Sequence, residues 1–427
     1  MTSTVSPRAV THRHVPSLHN RHHVVAPALR TPDAAAASVF AAVRRRGPVA
    51  RDRIATLTGL SIATVNRQVS SLLDAELLRE RPDLAVSGAI GRPRIPVEVN
   101  HEPYLTLGLH IGARVTSIVA SDLFGRTLDA VETPTPCGSQ TAALQTLAEV
   151  ARRYLARWNR RRPLWTGVAI GGGVDSVGGY VDHPRLGWSQ APVGTVLGTA
   201  LGLPVSVASH VDAMAGAELL LGARQASGDG SSLYVYARET VGFALVIGGR
   251  VHTPASGPGT VAGLPVQSAL LGGTQLESAV SDEAVIAAAR RTGLLPPGVS
   301  SAGPASTIAA LVRLARQDGD GQAADARGLL VERARVLGGA IALLRDLLNP
   351  DDLVVGGQAF SAYPEALPDL RAAFSERSVL APRDVDVTVF GNRVQEAGAG
   401  MVSLSSIYAD PLGALRRVRQ RRSGVSG

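Results

Sequence analysis

The apolar positions between Arg51 and Asn100 change period twice, and each change marks an element. Ile54, Ala55 and Leu57 give one face to a short helix beginning near Arg51. Thr58, Gly59 and Leu60 break it, and Gly59 can supply the positive φ that a sharp corner needs. Ser61 then suits an N-cap, because its hydroxyl can accept from an orphan backbone N–H. In the next helix Ile62, Val65, Val69 and Leu72 recur at three- and four-residue spacing and are expected to face a core. Thr64, Asn66, Arg67, Gln68 and Ser71 fall on its other faces. An earlier helix starts at Asp33, turns Val39, Phe40 and Val43 inward, and ends in Arg44 to Arg46, where cations suit the helix dipole. Gly47 and Pro48 stop it. Beyond the helices, Leu77 to Arg79 reads as extended, and Ile95 to Val99 alternates apolar and polar as a half-buried strand does. A turn-rich loop between them ends in Gly91-Arg92-Pro93-Arg94.

From Tyr104 the pattern becomes strand and helix in alternation. Residues 105–112, 116–122 and 127–133 read as three strands, with a turn at Asp122 to Arg126. A helix spans Gln140 to Asn159, and Trp165 to Val174 is a strand running into glycines. Residues 204–209 form another strand ahead of a helix from Val211 to Gly222. Residues 232–237 and 242–250 read as a hairpin. Long helices are expected from Gln267 to Leu348, then a strand at Asp352 to Gly357 and a last helix from about Val394. Strands that end in glycines before helices are how α/β folds present backbone N–H groups to phosphates. The expected division is a loose tail at 1–30, a DNA-binding domain at 31–100, an α/β body at 101–412 and a loose basic tail at 413–427.

Composition narrows the function. At 427 residues, 45% hydrophobic, the chain can build two or three packed domains. No apolar run reaches the length of a membrane span, and no signal peptide is visible, so a cytoplasmic protein is expected. A single cysteine, Cys137, rules out an intramolecular disulfide and a multi-cysteine zinc site. There is no lysine, so all 43 basic residues are arginine. Residues 1–100 hold 14 arginines against 7 acids, and residues 413–427 hold five arginines and no acid. The total of +8 therefore leaves residues 101–412 at −4. A basic front on an acidic body is the pattern of a nucleic-acid binder with a sensor attached.

The helical stretch fits that role. Asn66, Arg67 and Gln68 are the side chains that pair with base edges, Arg with guanine and Asn or Gln with adenine. Ser61 and Thr64 can reach phosphate oxygens, and all five lie at the end that a recognition helix pushes into the major groove. Arg92 and Arg94 would make the strand pair a basic wing on phosphate or in a minor groove. The unit is expected to be a winged helix-turn-helix whose partner is a double-stranded DNA operator.

The order of segments resembles the ROK family (repressor, open reading frame, kinase). A winged helix precedes residues 122–126, Asp-Leu-Phe-Gly-Arg; these precede residues 167–175, Gly-Val-Ala-Ile-Gly-Gly-Gly-Val-Asp. Residues 184–188, Pro-Arg-Leu-Gly-Trp, and residues 349–357, Asn-Pro-Asp-Asp-Leu-Val-Val-Gly-Gly, follow. The resemblance spans roughly residues 33–412. It implies a winged helix-turn-helix followed by a two-lobed, actin-like and sugar-kinase-like (RNase H-like) α/β domain; a homo-oligomer, dimer or tetramer, is expected beside it, since two recognition helices then meet a two-fold-related operator. It implies a transcription regulator, a repressor of carbohydrate-related genes, with a sugar or sugar-phosphate effector.

Most of the catalytic positions that the resemblance maps do not match the kinases. The first phosphate turn, Asp-Ile-Gly-Gly-Thr in the kinases, is His110-Ile111-Gly112-Ala113-Arg114 here. The second, Gly-Thr-Gly-Val-Gly, is Arg238-Glu239-Thr240-Val241-Gly242, and Glu239 would repel a phosphate. The Asn-Asp pair that holds the general base falls on Ser209-His210. The Gly-Glu-x-Gly-His segment falls on Gly259 to Gly263, and Gln275 stands where the last zinc cysteine would be. Phosphoryl transfer needs cradled phosphates, held magnesium and a base within reach, so no enzyme, no cofactor and no zinc are expected. His210, Asp212 and Glu277 remain as candidate effector contacts. Two alternatives stand beside the repressor: a sugar kinase that kept its DNA-binding domain, and a regulator whose body only oligomerises.

Overall fold

Three short helices open the chain: α1 (Ala35–Arg46), α2 (Arg51–Thr58) and α3 (Ile62–Asp74). The computed structural model describes residues 23–85, 94–222, 230–254, 257–297, 303–319 and 321–424. Gly59 ends α2 at φ 69°, in the left-handed region, and swings the chain into α3. Ser61 caps α3 by accepting from Thr64 N–H at 3.2 Å. Val39, Phe40, Val43, Ile54, Val65, Val69 and Leu72 close a shared core and are essentially inaccessible. Two expected core positions are not in it: Ile62 is 50% exposed and Leu57 40%. Periodicity fixes the angle of a side chain around its helix, but not whether a neighbouring helix reaches that far along the axis. Ile62 is the first residue of α3 and lies beyond that reach.

Strands β1 (Leu78–Glu80) and β2 (Val97–Val99) pair antiparallel, Leu78 with Val99 and Glu80 with Val97. Val49 bridges Val97 on the other side, so the pair is laced back to the start of α2. The strand begins at Val97 rather than Ile95. The loop between the two strands lies outside the described residues, Arg92 with it.

The first lobe follows. Strands β3 (Tyr104–Ile111), β4 (Val115–Ser121) and β5 (Thr127–Pro134) form an antiparallel meander. Then come α4 (Gln140–Ala156), β6 (Arg162–Ile170), a small sheet of β7 (Gly173–Asp175), β8 (Tyr180–His183) and β9 (Trp188–Ala191), α5 (Val193–Leu201), β10 (Val205–Ser209) and α6 (His210–Leu221). The main sheet runs β10-β6-β3-β4-β5, with its first three strands parallel. The second lobe holds β11 (Ser231–Ala237), β12 (Val241–Ile247), β13 (Arg250–His252) and β14 (Gly259–Thr260). Its helices are α7 (Leu276–Val280), α8 (Asp282–Arg291), α9 (Gly303–Ala315) and α10 (Gln322–Leu348), followed by β15 (Asp352–Gly356), α11 (Gln358–Ser361), α12 (Leu367–Arg377) and β16 (Asp386–Val387). The helical run expected from Gln267 starts only at Leu276, because Pro265 to Gln275 is a loop closed by a bridge between its ends. The second sheet is ordered β13-β12-β11-β15-β16.

Helix α13 (Val394–Ala409) returns to the first lobe and lies on β3 and β6. Its approach explains Gly167: a Cβ there would come within 2.1 Å of Ser403 N. Both ends of the chain depart from expectation. The basic tail from residue 413 is part of a helix, α14 (Pro411–Gly424), with Ala414, Leu415 and Val418 buried against α13 and the N-terminal helices. Five arginines masked that short apolar stripe. Residues 23–30, expected to be loose, form a strap across both lobes. Val25 N–H donates to Val205 O and Val205 N–H to His23 O, both at 2.8 Å, on the outermost strand of the first sheet. Val251 N–H donates to Leu29 O at 2.9 Å and Thr31 N–H to Gly249 O at 2.7 Å, at the outermost strand of the second. The strap then runs directly into α1.

Candidate nucleic-acid interface and interlobe cleft

The outward face of α3 carries Ile62, Ala63, Asn66, Arg67 and Ser70, all exposed, with Thr64 and Gln68 half-buried on its flanks. Among the described residues no hydrogen bond or ion pair holds Asn66 or Arg67. Ser61 donates to Thr64 Oγ1 at 3.0 Å while accepting from its N–H, so these two hydroxyls work first as a cap. Arg94, expected on a wing, reaches back to α2 and pairs with Asp52 at 2.6 Å. That pair is 77% and 50% exposed, so it is weak and open to competition by a phosphate.

The three-helix unit is fastened to the body at several points. Arg44 donates to Leu220 O at 3.0 Å and stacks over the Tyr408 ring, 4.2 Å from its centroid. Glu76, just past α3, accepts from Arg162 at 3.1 Å and from the Tyr104 hydroxyl at 3.3 Å. At the far end of α14, Arg421 hydrogen-bonds to His23 of the strap.

Between the lobes lies a cleft of about 370 Å³ whose walls include His110, His183, His210, Tyr236, Glu239 and Glu277. The sheet of the first lobe delivers His110 at the end of β3, and β10 ends where His210 begins α6. The two imidazoles stack at 5.9 Å with planes 9° apart, and His210 tilts against Tyr236 at 5.2 Å. Burial first, then the neighbouring His183, pushes His210 down to about 4. Burial, then His210 and Arg238, holds His110 well below the ordinary histidine range. Burial also lowers His183, whose Nδ1 accepts from Leu186 N–H at 3.3 Å; the proton of the neutral ring therefore sits on Nε2. Three imidazoles thus line one cleft as neutral groups.

The carboxylates behave differently from one another. Glu277 lines the cleft, but its Oε2 accepts from Val241 N–H at 3.0 Å and so pins the β11–β12 turn. Glu239, in that turn, is raised mainly by burial. Asp212 is not in the cleft wall, contrary to its expected role. Two residues along a helix turn a side chain by about 200°, which carries the carboxyl away from the His210 face. It is 2% exposed, neither oxygen has a hydrogen-bond partner among the described residues, and burial pushes it up to about 7.

At the mouth, Arg114 and Arg185 of the first lobe both pair with Glu283 on α8, at 3.1 and 2.7 Å. Arg185 also donates to Glu239 O at 3.3 Å. Deeper in the second lobe Arg333 and Asp282 form a buried pair at 2.7 Å, and Gln395 links Arg238 to the Tyr236 hydroxyl. Sequence reasoning missed Arg185, Glu283, Tyr236 and Gln395 because they come from four distant segments with no shared spacing. Among the described residues no three of His, Cys, Asp or Glu stand so as to hold a metal ion, and no helix is long and apolar enough to cross a membrane.

Comparison with known proteins matches this geometry. The ROK family model fits residues 106–407. A transcriptional regulator of Mycobacterium tuberculosis is 70% identical over 406 residues, covering 94% of this chain and 92% of that protein. The crystal structure of a ROK family transcriptional regulator, a homologue of the Escherichia coli Mlc protein, superposes with a TM-score of 0.68. It covers 92% of this chain and 98% of its own at 21% identity. A ROK family glucokinase from Streptomyces griseus, in complex with glucose and AMPPNP, superposes with a TM-score of 0.57, covering 70% of this chain and 99% of its own at 21% identity. These two structural likenesses are likenesses of fold.

Proposed function

The chain belongs to the ROK family and is a transcriptional regulator, and from that premise we propose that it is a sequence-specific DNA-binding repressor of carbohydrate-related genes. In this reading residues 31–100 are a winged helix-turn-helix, α3 enters the major groove, and the strand pair with Arg92 and Arg94 lies along the backbone. The observation that carries it is the outward face of α3, where Asn66 and Arg67 stand exposed on a capped helix. A homo-oligomer, dimer or tetramer, would set two such helices on half-sites about one or two helical turns apart. The protein would work in the cytoplasm.

The body serves in this reading as a sensor without chemistry. His110 stands buried and neutral where the kinases of the family carry aspartate, and Glu239 lies in the second phosphate turn. A sugar or sugar phosphate in the cleft would touch His210 and Glu277. It would act only through a difference in affinity between closed and open lobes. No zinc or other cofactor is needed. A second reading, in which the body only oligomerises, draws on the mouth of the cleft, where Arg114, Arg185 and Glu283 satisfy one another.

Footprinting the full-length protein against genomic fragments tests the main reading, which expects protection of discrete sites over bulk competitor. Protection of none would end it. Thermal-shift measurements with sugars and sugar phosphates separate the two readings, since a ligand of the folded state raises its melting point. Sugar-dependent consumption of ATP in a coupled assay would instead restore a kinase.

A further inference from the structure

Ile62 is the large apolar side chain that the fold leaves uncovered on the outward face of α3, at 50% exposure. It is the first residue of the helix, next to the cap. Asn66 follows one turn later on the same side, Ala63 and Arg67 lie beside it, and all are exposed. Other large apolar side chains are exposed as well, Val177 and Val379 more so; what sets Ile62 apart is its place on the exposed face that carries Asn66 and Arg67, where covering it would recover the gain from burial. The surroundings indicate what would cover it. Among the described residues Arg67 has no acidic partner, and the orphan N–H groups of the helix start add positive potential. That is a surface for a polyanion. The apolar feature a polyanionic duplex offers in its major groove is the C5-methyl group of thymine.

We propose that Ile62 reads thymine methyl groups in the major groove while Asn66, one turn along the same face, takes the adenine edge of an adjacent pair. The operator half-site then carries A·T pairs under the start of α3. This rests on the reading of α3 as the DNA-contacting helix and names the bases it selects.

The test uses the full-length protein and a randomised duplex pool. The best-bound duplex is remade with deoxyuridine replacing thymidine at one position at a time, which removes a methyl group and nothing else. Affinity should fall roughly three- to tenfold at one or two half-site positions, the scale of one buried methyl. Ile62→Ala should bind the thymine and uracil duplexes equally, whereas Asn66→Ala should keep the difference. Because Ile62 is exposed, its alanine variant should melt with the native protein. Enrichment of a sequence that the native protein binds equally well with uracil would overturn the inference and leave DNA binding standing. So would an Ile62→Ala variant that keeps the thymine preference but changes its oligomeric state, since Ile62 would then face a second copy of the chain. Failure to enrich any sequence would overturn the DNA reading together with the inference.

Discussion

The outward face of α3 and the wall of the interlobe cleft are both polar, yet they differ in how their groups are satisfied. On α3, Asn66 and Arg67 are exposed and held by no other described residue. In the cleft Glu277, Tyr236 and Arg185 are each bonded to another part of the chain, and three imidazoles are kept neutral by burial. The first region costs the fold little and is ready for an outside partner. The second is part of the fold's own stability, so a ligand there must displace some existing contacts, and the buried group it finds without a hydrogen-bond partner among the described residues of the wall is His110 Nε2.

That contrast can be broken from either side. The largest effect is expected behind the cleft. Arg333→Ala takes from the buried Asp282 carboxylate its close partner, leaving only Arg238 at 3.9 Å, and takes from Val280 O its donor, and it should lower unfolding free energy by about 3–5 kcal/mol in a denaturant titration. A loss no larger than that of an exposed arginine would show that the second lobe does not depend on this pair.

Next comes acid sensitivity. His210 binds its proton near pH 4 in the fold against 6.5 for an ordinary histidine. The unfolded chain therefore takes up this proton first, and the stability that neutral His210 contributes is full above 6.5 and declines as pH falls toward 4, while Asp212, whose carboxyl burial pushes up to about 7, works in the opposite direction over the same window. At about 1.4 kcal/mol for each tenfold change in proton affinity, the loss is on the order of 3 kcal/mol. His210→Gln should remove one proton's worth of slope between pH 6.5 and 4. An unchanged slope would put the titration on His110 and His183 alone.

On the DNA side, Arg67→Ala should cost about 1–3 kcal/mol of operator affinity and relax sequence choice, while stability stays within about 0.5 kcal/mol. Equal losses on specific and random duplex would mean that Arg67 touches phosphate rather than a base. The smallest effect belongs to Arg94. Arg94→Ala breaks an exposed pair with Asp52, worth at most about 1 kcal/mol to the fold, but should flatten the salt dependence of DNA binding by about one phosphate contact. An unaltered salt dependence would leave Arg94 as a brace for α2 only.

Much of this contrast could be read from residues alone, though unevenly. The helix pair, its Gly59 corner and the Ser61 cap were legible because they depend on local chemistry, and so were the strand that carries His110 and the strand that ends just before His210. Ile62 was misjudged because a three-four spacing cannot say where the opposing helix stops. The stripe of Ala414, Leu415 and Val418 was hidden among arginines, and Asp212 was placed in the cleft because its neighbour His210 is there. The grouping of His110, His183 and His210, and the meeting of Arg114, Arg185 and Glu283, depend on lobe packing. Spacing along the chain carries no trace of either.

The strap has a consequence for handling the protein. A strand at the margin of a sheet offers unpaired N–H and C=O groups to any extended chain that drifts by, which is how sheets template aggregates. Val25, Leu29 and Thr31 occupy parts of both such margins at once. Trimming the first 31 residues as a dispensable leader would uncover those stretches in one cut, and the shortened protein should precipitate or fibrillise where the full chain stays dispersed.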